Sequence, residues 1–69
     1  MTLQEFGLMI KSLDHKPTHI RVGQHLFNYL YRNYNPVAES YRAQPLDPFY
    51  DDDNVLPLLQ DLLQKHVEL

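Results

Sequence analysis

The 69-residue chain predicts an all-α fold: a compact bundle of about four helices, the third short, with an ordered Asp47-Pro48-Phe49-Tyr50 loop packed on the second. Three observations carry this expectation. Apolar residues recur at three- and four-residue steps along most of the chain, which is the period of a helix face. Pro17, Pro36, Pro45 and Pro57 fall between those stretches or at their starts, where proline ends or opens a helix. No run has the alternation of a half-buried strand.

The first helix is expected over TLQEFGLMIKSL, with Leu3, Phe6, Met9, Ile10 and Leu13 on one stripe. Thr2 and Glu5 have the capping-box spacing, in which each side chain bonds the other's backbone amide. Pro17 disfavours helix at Lys16 and closes the element. The second helix is expected over THIRVGQHLFNYLYRNY, capped by Thr18. Ile20, Gly23, Leu26, Phe27, Leu30, Tyr31 and Tyr34 share one arc, while Arg21, Gln24, His25, Asn28 and Arg32 share the other. A glycine within an apolar helical arc costs about 1 kcal/mol relative to alanine, so Gly23 points to a close approach by a neighbouring segment.

A short third helix is expected over PVAESYRAQ, opened by Pro36 and stopped by Pro45, with Val37, Ala38 and Tyr41 inward. The fourth is expected over NVLPLLQDLLQKHVEL. Pro57 belongs in its first turn, which favours Asn54 over Asp53 as the cap. Its apolar face is wide, taking in Val55, Leu56, Leu58, Leu59, Leu62, Leu63 and Val67. A face that wide either sits between two other helices or is shared with a second chain. Asp61 and Lys65 are an i,i+4 pair in the favourable order.

Residues 1–69 make one small helical domain by length, and such a chain buries only roughly 60% of its unfolded surface. With no cysteine there is no disulfide and no thiolate metal site. The N-terminal stretch lacks the basic start and long apolar block of a secretory signal, and no apolar run approaches membrane-spanning length. A cytoplasmic protein is therefore expected. Nine acidic residues against six scattered basic ones disfavour direct nucleic-acid binding, which needs a basic patch for the phosphates. A basic protein partner suits that balance.

Chemistry-bearing residues are few. Neither Ser12 nor Ser40 lies in a nucleophile elbow, and Gly7 and Gly23 cannot form a phosphate loop. His15, His19, His25 and His66 do not form a ligand set. Asp47, Asp51, Asp52 and Asp53 lack the order of an EF-hand loop, so no metal and no cofactor is expected. Enzymatic activity is not expected, and no catalytic residue is assigned. Two constellations remain. Arg21, Gln24 and Asn28 border the apolar arc of the second helix. With Arg42, Asp47, Phe49 and Tyr50 they read either as a brace that satisfies the loop backbone or as a binding pocket. In the brace, Asp47 pairs with Arg21 or Arg42, and the later aspartates start the last helix. The second constellation is a partner surface of Val22, Tyr29, Asp51, Asp52, Asp53, Leu58, Leu62 and His66. Tyrosine favours interfaces because it combines rigid area with a polar tip. Tyr31, Tyr34 and Tyr41 are assigned to the core.

The run R-V-G-Q-H-L-F-N-Y-L, then P-V-A-E-S-Y-R, then D-P-F-Y-D-D resembles a family of small uncharacterised proteins encoded in bacterial genomes, prophages and phages of Gram-negative hosts. That family's signature reads approximately R-x-G-Q-x-x-x-N-x-L, then P-x-x-A-x-x-I-R, then a small-residue pair, then D-P-F-Y/H-x-D. The resemblance covers about residues 20–53. It falls on Arg21, Gly23, Gln24, Asn28, Leu30, Pro36, Ala38, Arg42, Asp47, Pro48, Phe49, Tyr50 and Asp52. Where the family usually has Arg-Gly-Thr, this chain has Arg42-Ala43-Gln44, which puts an alanine where glycine would take a positive φ cheaply. The resemblance implies a link to mobile elements and no particular activity. The expected function is a non-enzymatic protein-binding module that occupies a host or phage protein surface or self-associates. The alternatives are an acidic nucleic-acid mimic aimed at a basic groove of a host defence complex, and a small-ligand or metal-binding protein.

Overall fold

A computed structural model of the chain describes residues 1–68 and shows an all-α protein, with no strand among those residues beyond one isolated bridge between Thr2 and Glu68. Helix α1 spans Leu3–Ser12 and tightens into a 3-10 turn at Leu13–His15. The capping box forms: the Thr2 amide donates to Glu5 Oε1 at 2.8 Å, and the Glu5 amide donates to Thr2 Oγ1 at 3.1 Å. Helix α2 spans Val22–Asn33 and α3 spans Asn35–Tyr41. A loop then leads through a 3-10 turn, Asp52–Asn54, into α4 at Val55–Lys65. The ends meet, since the Met1 amino group donates to the His66 carbonyl at 2.8 Å and the Glu68 amide donates to the Met1 carbonyl at 2.9 Å. No helix among the described residues is long and apolar enough to cross a membrane.

The core holds Phe6 and Met9 of α1, Leu26, Phe27 and Leu30 of α2, Ala38 and Tyr41 of α3, and Leu58 and Leu62 of α4. Each helix buries a narrower arc than its apolar composition suggests. On α1 the buried direction passes between Phe6 and Met9, so Leu3 and Ile10 lie roughly 60–90° away and are exposed. On α4 the direction passes through Leu58 and Leu62, which leaves Leu56 70% exposed on the far side. Leu58 and Leu62 were expected on a partner surface. Both are fully buried, because α4 turns its Leu58–Leu62 ridge, not its Leu56–Leu63 ridge, against the bundle.

Three element boundaries differ from expectation. α2 starts four residues after Thr18, which lies in a turn closed by Ile20 N–H to the Pro17 carbonyl, and Arg21 is the N-cap residue. α3 stops at Tyr41, before Pro45 is reached. α4 ends at Lys65, with His66 at its C-cap; the end of the expected helix, Leu69, lies outside the described residues. Asn54 holds the N-cap position of α4, as expected, but its side chain makes no capping bond there. Asp51 instead caps the 3-10 turn by accepting from the Asp53 amide at 2.9 Å.

One polar contact ties α3 to α4. The Tyr41 hydroxyl donates to Asp61 Oδ2 at 2.6 Å, and Lys65 Nζ lies 3.1 Å from the other oxygen. The Tyr41 bond, followed by Lys65, holds the Asp61 carboxyl below its ordinary value of 3.8. The unfolded chain therefore takes up this proton first as pH falls. The contribution is fully present above about pH 4 and is lost as pH drops through the folded pKa. In acid titrations followed by circular dichroism, Asp61→Asn should shallow the loss of stability below about pH 4 relative to the native chain.

Candidate functional site

The loop from Arg42 to Asp51 is held at four points. Arg42 and Ala43 occupy the centre of a turn in which the Gln44 amide donates to the Tyr41 carbonyl at 3.0 Å. Ala43 has φ 57°, and Arg42 has φ −57°, ψ 127°, so this is the type II geometry that favours glycine at its third position. Asp47 stabilises the strained residue: its Oδ2 accepts from the Ala43 amide at 2.7 Å while its Oδ1 accepts from the Phe49 amide at 2.9 Å. Asn54 Nδ2 donates to the Asp47 carbonyl at 2.9 Å, and Arg21 Nη2 donates to the Phe49 carbonyl. A left-handed alanine costs roughly 1–2 kcal/mol, partly balanced by the extra chain entropy of glycine. Ala43→Gly should accordingly raise stability by about 0.5–1 kcal/mol in urea melts, with Asp47 still in place.

Pro48 is buried where the loop crosses α2 at Gly23. A Cβ on Gly23 would collide with the Pro48 carbonyl oxygen and lie 2.8 Å from Asp52 Oδ1. Asp52 Oδ1 accepts from the Gly23 amide at 3.0 Å, so the first turn of α2 is capped by a residue 29 positions away in sequence. Arg21 Nε stands 3.6 Å from the same oxygen.

The brace exists, then, but with a different membership. Arg21 and Asp47 take part, together with Gly23, Asp52 and Asn54. Asp47 pairs with neither arginine. Arg42 makes a bidentate pair with Glu39 at 3.0 and 3.1 Å, and Arg21 meets Asp52. The loop's hydrogen bonds to α2 run through Arg21 and Gly23 rather than through Gln24 or Asn28.

Bracing the loop creates an open groove of about 500 Å³ between it and α2. Its walls are largely aromatic. Phe27 meets Phe49 edge-on with centroids 5.7 Å apart, Phe49 meets Tyr50 at 4.7 Å, and Tyr31 lies beside Phe27 at 6.4 Å. Arg42 lies over both Phe27 and Tyr31, its Cζ 5.3 and 5.5 Å from the ring centroids. Asn28 lines the groove from α2, and Asp47 and Ala43 line it from the loop. Tyr50 is 83% exposed and Tyr31 45% exposed. Tyr31, expected in the core, lies at the edge of the buried arc of α2 and forms a wall of the groove instead.

The residues expected at a partner surface do not form one patch. Val22 and Tyr29 are half-buried, and Tyr29 packs against the core beside a second, smaller hollow with Ile20, His25 and Arg32. Asp51 and Asp52 serve as caps, while Asp53 is exposed. His66 sits edge-on to Tyr41 at 5.9 Å. Among the described residues no group of three or more acidic, histidine or cysteine side chains could hold a metal ion. Phe27, Tyr31 and Ala43 of the groove lining, and Gly23 and Asn54 of the brace, were not among the residues expected at the site. The available signal was the i,i+4 pair Phe27 and Tyr31 at one edge of the arc, with two aromatics following Pro48. Compared with known family models, curated proteins and solved structures, the chain matches none, and the groove is interpreted from its own geometry.

Proposed function

We propose that the chain is a non-enzymatic protein-binding module, of the phage or prophage type its signature resembles, and that it takes its partner in the groove between α2 and the braced loop. One observation carries this: the loop is fixed by hydrogen bonds on its inner side while Tyr50 and Tyr31 stand out into solvent around the groove. Exposing large aromatic rings costs free energy unless something covers them, and rigid aromatics lose little entropy on binding. Preorganisation of the loop reduces the ordering cost further. The acidic-mimic alternative is less well supported, since Asp51 and Asp52 each accept a backbone amide from this chain.

The test is site-specific photocrosslinking in lysate from a Gram-negative bacterium. With benzoylphenylalanine at position 50, discrete adducts are expected. The same probe at Gln60, on the wet face of α4, should give none, and Asn28→Ala should weaken the adducts without changing the melting temperature. Equal labelling from both positions, or no adduct at position 50, rules the groove out as the docking site.

A further inference from the structure

Resting on the groove reading above, we propose that its occupant is an extended, proline-containing segment of a partner protein with basic residues beside the prolines. Three features of the site select that chemistry over other peptide forms. The first is the mode of pairing on offer. No strand edge is present among the described residues, so a partner cannot be held by adding to a sheet. The second is size. A helix roughly 10 Å across fills on the order of 420 Å³ for each 5.4 Å turn, so about 500 Å³ admits little more than one turn. Helix recognition relies on anchors spread over two turns or more. A polyproline II segment is slimmer, arrives ordered, and presents rings to aromatic walls. Its carbonyls lack internal amide partners, and the Asn28 amide and the Tyr31 and Tyr50 hydroxyls can supply donors at the groove.

The third feature is charge. Both arginines near the groove are matched within the chain, Arg42 by Glu39 and Arg21 by Asp52. Asp47 lines the groove, Asp51 follows directly after Tyr50 and Asp53 lies two residues further on, outside the lining; none of these three has a cationic partner within 4 Å among the described residues. The charge left uncompensated at this end of the groove is therefore negative, and it favours lysine or arginine in the incoming segment.

The experiment uses the full chain, carrying an affinity tag, on an array of decapeptides with two prolines three positions apart and Arg or Lys at either side. Companion sets replace the prolines by alanine or the basic residues by glutamate. The basic proline set should retain the chain about tenfold better than the alanine set, as expected when a ring contact worth about 1.4 kcal/mol is lost. The glutamate set should retain none. Tyr50→Ala should reduce retention about tenfold, at an unchanged melting temperature. Retention indifferent to proline, preference for glutamate, no retention at all, or crosslinking at position 50 only to a second copy of the chain each overturns the proposal. If the array fails while position 50 still gives adducts to another protein, the groove stands and only its occupant is wrong. If both fail, both readings fall together.

Discussion

Gly23→Ala is expected to destabilise the protein by about 3 kcal/mol, at the upper end of what an inserted methyl costs in a packed site. The new Cβ meets the Pro48 carbonyl oxygen, a backbone atom that cannot swing away like the end of a side chain. Relief requires the loop to lift from α2. That movement strains the Gly23 amide bond to Asp52 and the Arg21 bond to the Phe49 carbonyl. A chain of this size commands about 3–5 kcal/mol in total, so the variant should be substantially unfolded at room temperature. Urea titration would show the midpoint falling with little change in slope. A midpoint within about 0.5 kcal/mol of the native one would mean that the loop does not cross α2 at this residue.

Leu62→Ala should cost about 3–4 kcal/mol, because Leu62 is fully buried between helices and its loss leaves a cavity that a small bundle cannot close. Leu56→Ala, on the opposite side of α4, should change stability by no more than about 0.5 kcal/mol. The pair separates core from surface on a helix whose composition makes both leucines look alike. If Leu62→Ala were neutral in stability and altered only the sedimentation behaviour, Leu62 would belong to an interface and the orientation of α4 would be wrong.

Local signals were legible where the bonding partners are close in sequence. The Thr2–Glu5 capping box needs three residues' separation and was readable from spacing alone. Helix type and number followed from the apolar period, and Gly23 announced a close approach because glycine in an apolar helical arc has little else to recommend it. Orientation was less legible. Six apolar side chains on α4 could not say which ridge faces inward, and Tyr31 was assigned to the core although it stands at the groove. Membership of the brace was legible in part. Arg21 bonds the loop backbone as expected, at the Phe49 carbonyl, but Asp47 accepts from the Ala43 and Phe49 amides instead of pairing with an arginine, and the other bond from α2 comes from the Gly23 amide, not from the Gln24 or Asn28 side chain. A backbone amide carries no signature in sequence.

The sequence by itself determined four amphipathic segments, their punctuation by proline, a capping box at the start of the first, and a loop rich in hydrogen-bonding side chains that must lie against something. These are consequences of local sterics and of hydrophobic periodicity, which act over a few residues. Tertiary structure alone decided where α2 begins, since its cap is the Asp52 carboxylate brought from 29 residues away. It decided that α4 buries Leu58 and Leu62 and exposes Leu56, because that choice depends on the packing of the other helices. It also decided that Phe27, Tyr31, Phe49 and Tyr50 stand around one groove. Their convergence requires the Asp47 clamp, the Gly23 crossing and the α3 turn to hold at once, and no periodicity in a chain encodes the distance between segments that meet only after folding.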